Sequence, residues 1–355
     1  MKNKTIFKAR DVPIHQNATY HTLKEARLCP RGNITLIQDC DIGFIYNADF
    51  NPSAVTYDEN YQNEQACSLV FQEHLSEVIS IVGRNFNQKN IVEIGCGKGW
   101  FLELLRSEGF NVIGVDPAYE GEKDYVIKEY FSSNLNLKAD ALVLRHTLEH
   151  IQNPIRFLNS IAQTNNYAGL IYIEVPCFEW IQKHKAWFDI FYEHVNYFRL
   201  ADFEHIFGEI VDKGYLFGGQ YMYIVGNLAS LSVSNGKEIK AIEMPDDFLI
   251  GLQKVQKIIK RDRNKKNIIW GGSAKGVTCC HYLSQRGVKI EILVDINPSK
   301  QGKHIPITGI KIESPKMALK KMNEGDNVFI MNSNYLNEIK FLTNNKYNYI
   351  QVDQL

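Results

Sequence analysis

Two stretches of this chain repeat one junction. "NIVEIGCGKGWFLELL" at 90–105 and "NIIWGGSAKGVTCCHYL" at 267–283 each run an apolar strand into a glycine-rich turn and then straight into a helix. A strand that apolar is buried on both faces, and the helix after it must fold back across the sheet, so the unit belongs to a parallel α/β sheet with right-handed crossovers. The surroundings agree. "CSLVFQEHLSEVISIVGRNF" has helical spacing, and "NVIGVD", "ADALVLRH" and "GLIYIEV" alternate with "GWFLELLRSEG" and "PIRFLNSIAQ". After a charged stretch the alternation resumes with "IEILVD", "NVFIMN" and "YIQVDQL". The expected organisation is a strand-rich module over 1–70, a doubly wound α/β domain over 71–240, a helical linker over 241–266 and a second Rossmann-like α/β domain over 267–355.

Charge and cysteine usage remove several classes of function. The 355 residues hold 40 Lys+Arg against 40 Asp+Glu, so no basic surface for nucleic acid is expected. The densest basic run, "KRDRNKKN" at 260–267, reads as a solvated helix end or linker. No apolar stretch has the length of a signal sequence or a membrane span, which points to the cytoplasm and to no membrane partner. Seven cysteines without a C-x-x-C pair make neither a disulfide framework nor a zinc site by spacing.

The first glycine turn is the more informative. Dinucleotide folds use G-x-G-x-x-G with a pyrophosphate on the helix N-terminus. Here Gly95, Gly97 and Gly99 form G-x-G-x-G, two residues behind Glu93. A carboxylate there repels a pyrophosphate, which disfavours a nicotinamide-dependent oxidoreductase, and suits a cofactor with a sulfonium and an ammonium group: S-adenosylmethionine. Asp116 ends the next strand, placed for ribose hydroxyls, with Pro117 after it; Tyr130 and Phe131 are candidates to wall the adenine. Arg145, His146, Glu149 and His150 follow the fourth strand at the carboxyl end of the sheet, where open α/β folds bind ligands. His146 lies nearest the expected methyl donor; capping of the next helix is an equal reading for His150. A non-catalytic metabolite-binding protein is the remaining alternative.

"VEIGCGKGWFLELL", "GVDPAYEG", "LRHTLEHI", "IEVP", "FYEHVNYF" and "FGGQY", in that order, resemble the class I S-adenosylmethionine-dependent methyltransferases of the sugar C-methyltransferase type. "WGGSAKGVTCCHYL", "LVDINPSKQGKHIPITGI" and "ESP" resemble that family's C-terminal domain, so the likeness runs over residues 12–355. The resemblance implies a class I Rossmann-like fold and a small-molecule substrate, a keto-sugar linked to a nucleotide. Family members bind zinc in the N-terminal module through two C-x-x-C pairs. Here the first pair is missing and "IQDCDIGF" puts Asp39 and Ile42 at ligand positions, with Cys40 one place out of register, so no metal is expected.

Further roles follow from the resemblance. "VTYDENYQNEQ" resembles the segment that folds over cofactor and substrate, making Tyr57, Tyr61 and Gln65 candidate contacts within a lid over 55–66. Building a carbon–carbon bond needs a base to remove the proton beside a carbonyl. The Glu-His pair supplies it: His194 as base and Glu193 holding substrate hydroxyls, with Tyr192 and Tyr197 shaping the pocket. Read alone, Glu193 and His194 would simply cap the helix that enters "LADFEHIF". The family's Tyr-His pair before the glutamate is Phe191 and Tyr192 here, which leaves O- or N-methylation open. Gln220, Ser273, Lys275 and Asn297 are expected substrate contacts, the second glycine loop taking an anionic nucleotide group; Asp295 and Lys300 lie beside them. A scaffold kept without phosphate binding is the other reading of that loop.

Overall fold

The computed structural model describes residues 3–55, 64–86, 90–232 and 239–355. Its first strands are β1 (Lys4–Pro13), β2 (Arg31–Gln38) and β3 (Ile45–Asn47). Next come β4 (Asn90–Ile94), β5 (Asn111–Val115), β6 (Val126–Ile127), β7 (Ala141–Arg145), β8 (Leu170–Pro176), β9 (Asn196–Tyr197), β10 (Ile210–Leu216) and β11 (Tyr221–Asn227). The chain closes with β12 (Asn267–Trp270), β13 (Ile292–Val294), β14 (Ile312–Glu313), β15 (Asn327–Ile330) and β16 (Asn348–Gln351).

The central sheet runs β10-β11-β8-β7-β4-β5-β6. Strands β4 to β8 are mutually parallel, and β11 runs antiparallel to both β8 and β10. This is the doubly wound class I arrangement that the glycine turn and the resemblance imply. Its strands follow their place in the sheet. Central β4 is buried from Ile91 to Ile94, whereas edge strand β10 alternates between covered and exposed residues. The chain leaves β4 with β5 on one side and β7 on the other, and at such a switch point the loops part and open a crevice.

The C-terminal sheet, β14-β13-β12-β15-β16, is parallel throughout and has its own switch point beside β12. Both crevices open into one cleft. The junction is held by Glu338, whose carboxylate accepts from Ser68 Oγ (2.6 Å) and from the backbone N–H of Leu69 (3.1 Å). An acid from one domain thus caps helix Leu69–Phe86 of another, where the helix dipole favours negative charge.

Two expected boundaries shift. The N-terminal module is not self-contained: its sheet runs β1-β2-β3-β9, the last strand coming from residues just beyond His194. The linker is helical only over Ile250–Arg261. Before that helix the chain is strapped to the N-terminal sheet, Gln38 donating to the carbonyl of Lys240 (2.9 Å) and accepting from the N–H of Ile242 (2.8 Å). Asp39, at a former ligand position, spends Oδ1 on its own turn, accepting from Asp41 N (2.8 Å) and Ile42 N (3.0 Å). Among the described residues no helix is long and apolar enough to cross a membrane.

Candidate active site

The cleft encloses about 350 Å3 between all three parts of the chain. Its floor begins at the first glycine turn. Gly95 has φ +78°, and a Cβ there would stand 2.2 Å from Thr147 Oγ1, so only glycine fits. Gly97 also has positive φ, but a Cβ on it would meet nothing within 4 Å; the backbone there lies open to an incoming group. Glu93 is 2% exposed, lines the cleft, and has no hydrogen-bond partner at Oε2. Burial pushes its carboxyl up to about 8, with Arg145 opposing and Asp116 adding to the rise. A buried acid with a spare oxygen beside an open glycine backbone fits a cationic cofactor such as S-adenosylmethionine. Gly99 starts helix Trp100–Ser107, and Asp116 at the end of β5 accepts from Gly97 N (2.7 Å).

Beneath the cleft lies an ionic cluster centred on Glu174 of β8, which is fully buried. It is 2.9 Å from His74 Nε2, accepts from Arg145 Nε (2.9 Å) and the Tyr172 hydroxyl (3.0 Å), and lies 3.1 Å from His146 Nε2. Burial alone would raise its pKa, but Arg145 and the two histidines hold it well below the carboxylate range. His146 takes a left-handed φ of 48° at the end of β7, and its Nδ1 is 3.5 Å from Glu149 Oε1. Burial disfavours the imidazolium, yet Glu149 and Glu174 outweigh it and raise His146 to about 9. His146 is thus a charged clamp between two carboxylates.

The opposite character belongs to His194, which lines the cleft. Its ring meets those of His150 (centroids 4.9 Å) and Phe191 (5.0 Å) edge-on. Burial first, then the positive neighbourhood of His150, His146 and Lys275, holds it well below 6.5. His150 is oriented by the backbone carbonyl of Glu193, 2.9 Å from its Nδ1. Glu149 closes this end of the cleft.

Several expected contacts lie elsewhere. The chain bends at Tyr192 and Glu193, and both side chains leave the cleft. Glu193 Oε1 accepts from Gln16 N (3.0 Å), while the Tyr192 hydroxyl accepts from Asn51 N (2.9 Å) and its ring packs over Gly32. Tyr197 ties its hydroxyl to both backbone groups of Phe191, donating to the carbonyl (3.0 Å) and accepting from the N–H (2.7 Å). It braces the loop and is not among the residues that line the cleft. Because β6 is only two residues long, the chain turns outward after it: Tyr130 is 77% exposed and Phe131 packs on Phe157; Pro117, in the turn after β5, is exposed too. None of these lines the cleft. Gln65 does, accepting from the Tyr335 hydroxyl (3.3 Å); Tyr57 and Tyr61 fall outside the described residues.

The second glycine loop is already satisfied from within. Lys275 pairs with Asp189 (2.8 Å) and donates to Gln220 Oε1 (2.7 Å), and Gln220 is further tied to Asn332. Asn17 of the N-terminal module accepts from Ala274 N (3.1 Å) at the start of helix Ala274–Ser284, and Asp295 accepts from Gly272 N (2.9 Å). Ser273 accepts from the buried Lys300 (2.6 Å), and Asn297 donates to the carbonyl of Glu64 (3.4 Å). Gln220 therefore positions Lys275, and the donors expected for a phosphate each have a protein partner. The sequence reading missed Asp189, Asn17 and Glu174. Glu174 carried a signal, a lone acid in an apolar strand like Glu93; Asn17 carried none.

Two family models match the chain: "Methyltransferase domain" over residues 61–210 and "C-methyltransferase C-terminal domain" over 251–349. The C-methyltransferase NovU of Streptomyces niveus is 29% identical over 124 residues, 31% of this chain and 30% of that protein, so the match spans less than a third of the relative's length. Among solved structures, a methyltransferase of Thermotoga maritima aligns over 44% of this chain and 91% of its own (20% identity, TM-score 0.35). One from Archaeoglobus fulgidus covers 45% and 99% (19% identity, TM-score 0.32). With this sheet order and glycine turn, residues 61–210 form a methyltransferase domain of the class I S-adenosylmethionine-dependent type. Its second matched region is similar to the C-terminal domain of C-methyltransferases.

Proposed function

We propose that this enzyme methylates a carbon atom of a small keto-sugar carried on a nucleotide, in a biosynthetic route of the cytoplasm, with His194 as the base. The observation that carries this reading is His194 itself, an imidazole held neutral in the wall of the cleft. S-adenosylmethionine, when bound, supplies an electrophilic methyl group. Carbon becomes a nucleophile for it only after losing the proton beside a carbonyl, and a neutral imidazole can take that proton at pH 7. His146, charged and clamped between Glu149 and Glu174, is held as an imidazolium and leaves His194 as the neutral imidazole of the cleft. Glu93 and the open backbone at Gly97 support the cofactor end of this reading, and the C-terminal domain match supports carbon as the target.

The nucleotide would extend along the cleft toward helix Ala274–Ser284, where an anionic group must displace Asp189 from Lys275. The test is incubation of small-molecule extract with enzyme and deuteromethyl-labelled cofactor, followed by mass spectrometry. A labelled product whose fragments contain a nucleotide and a new carbon-bound methyl group is the expected result; His194→Ala should bind S-adenosylhomocysteine normally and lose about 100-fold or more in turnover. A label on oxygen or nitrogen, or full turnover in His194→Ala, refutes the reading.

A further inference from the structure

Among the described residues, three buried carboxyl groups have an oxygen without a hydrogen-bond partner: Glu93, Glu149 and Glu193. The first lies at the glycine turn and suits the cofactor. The third faces the N-terminal segment, off the cleft. Glu149 remains, and it is the most exceptional, because neither of its oxygens has a partner although the residue is only 1% exposed. It lines the cleft, and a carboxylate oxygen of Glu149 lies within 4.8 Å of ring nitrogens of both His150 and His194. His146 stands 3.5 Å away, an ion-pair contact without hydrogen-bond geometry. It balances the charge of Glu149 without satisfying the oxygens. Buried polar groups are nearly always paired, and one left unpaired in a cleft is waiting for a donor.

We propose that Glu149 binds the methyl acceptor by taking hydrogen bonds from a hydroxyl next to the carbon that is methylated, and that the enzyme thereby selects acceptors carrying this hydroxyl. The inference rests on the reading of the cleft as a site of methyl transfer to carbon. A neutral hydroxyl fits better than an ammonium group, because the charge of Glu149 is already balanced by His146, 3.5 Å away. Glu149 would fix the ring of the acceptor so that the neighbouring C–H faces His194. A site built around such a contact rejects the analogue that lacks the hydroxyl, since the carboxylate is then left buried and unpaired.

The test uses Glu149→Gln and Glu149→Ala in the full chain. Calorimetry with S-adenosylhomocysteine first reports whether fold and cofactor site survive; affinity within about threefold of wild type is expected. Label transfer and equilibrium binding are then measured for two nucleoside-diphosphate-linked keto-hexoses that differ only in the hydroxyl beside the reacting carbon. Wild type should prefer the hydroxylated compound by at least about 100-fold, and the preference should fall below about tenfold in Glu149→Ala, with Glu149→Gln between them. Equal use of both compounds by wild type, or undiminished preference in Glu149→Ala, overturns the proposal. Loss of S-adenosylhomocysteine binding in both variants also overturns it, in favour of a structural role. If neither hexose is methylated or bound, the keto-sugar reading fails instead. The acceptor recovered from extract and its deoxy derivative then replace the two hexoses, and the same preference in wild type, weakened in Glu149→Ala, supports or overturns the role of Glu149.

Discussion

Replacing Glu174 by glutamine keeps the volume of the side chain and removes its charge. In the native cluster that charge faces Arg145 at 2.9 Å and His146 at 3.1 Å, in a site without solvent. Taking one partner from a buried ionic set costs about 3–5 kcal/mol, because the others stay buried and uncompensated. The amide oxygen can still accept from Arg145, so the lower end, about 3 kcal/mol, is expected. In a domain of this size that lowers Tm by roughly 6–12 °C. The pH dependence carries the signature. His146 has a folded pKa raised above its unfolded value, so its contribution is complete below about pH 6.5 and is lost as pH rises through about 9. Wild type should lose stability from pH 7 to pH 10 while Glu174→Gln stays flatter; the gap narrows without closing, since Arg145 remains charged. Thermal melts across this range, with an NMR titration of the His146 ring, make the measurement. A Tm change under about 2 °C, or a His146 pKa that stays near 9 in the variant, would refute the reasoning.

Other outcomes follow from the same geometry. Gly95→Ala should fail to fold its glycine turn or to bind S-adenosylhomocysteine, since its Cβ collides with Thr147; Gly97→Ala should fold, at about 1 kcal/mol of backbone strain, and lose affinity in calorimetry. Lys275→Met leaves Asp189 buried and unpaired and should cost about 1–3 kcal/mol in urea unfolding, much of it recovered by adding Asp189→Asn. If KM for the acceptor is unchanged in that double variant, Lys275 is a strut and holds no phosphate. The acid limb of the kcat/KM profile should lie below pH 6.5, because His194 must be neutral to act and its pKa is depressed; a limb above pH 7 would assign the base elsewhere. Cofactor binding near pH 7 should release a fraction of a proton from Glu93, seen as buffer-dependent enthalpy in calorimetry.

The sequence disclosed the sheet because its strands are apolar runs cut by glycine, and both signals are local. It disclosed Glu93 as an acid at the end of an apolar strand, whereas His194 stood out through the family resemblance, the Glu-His pair alone reading as a helix cap. What stayed hidden depends on pairing across distance. Lys275 reads as a free cation at a helix N-terminus until folding brings up Asp189 from 86 positions earlier in the chain. His146 reads as a lone imidazole near the methyl donor until folding sets it between Glu174, from the next strand, and Glu149. Tyr192 and Tyr197 looked like pocket residues because the aromatic run around His194 gives no hint of the bend that turns them away.

Strand β9 has only two residues, yet it completes the sheet begun by β1. During synthesis, β3 leaves the ribosome about 150 residues ahead of the segment that covers its edge. At cellular elongation rates that interval is roughly 8–30 seconds. Until then the nascent chain carries an unpaired strand edge, the kind of surface that recruits chaperones or joins a neighbouring chain. The arrival of β9 covers that edge and sets the backbone three residues beyond His194 in the same event. Completion of the N-terminal sheet and placement of His194 are therefore one step of folding.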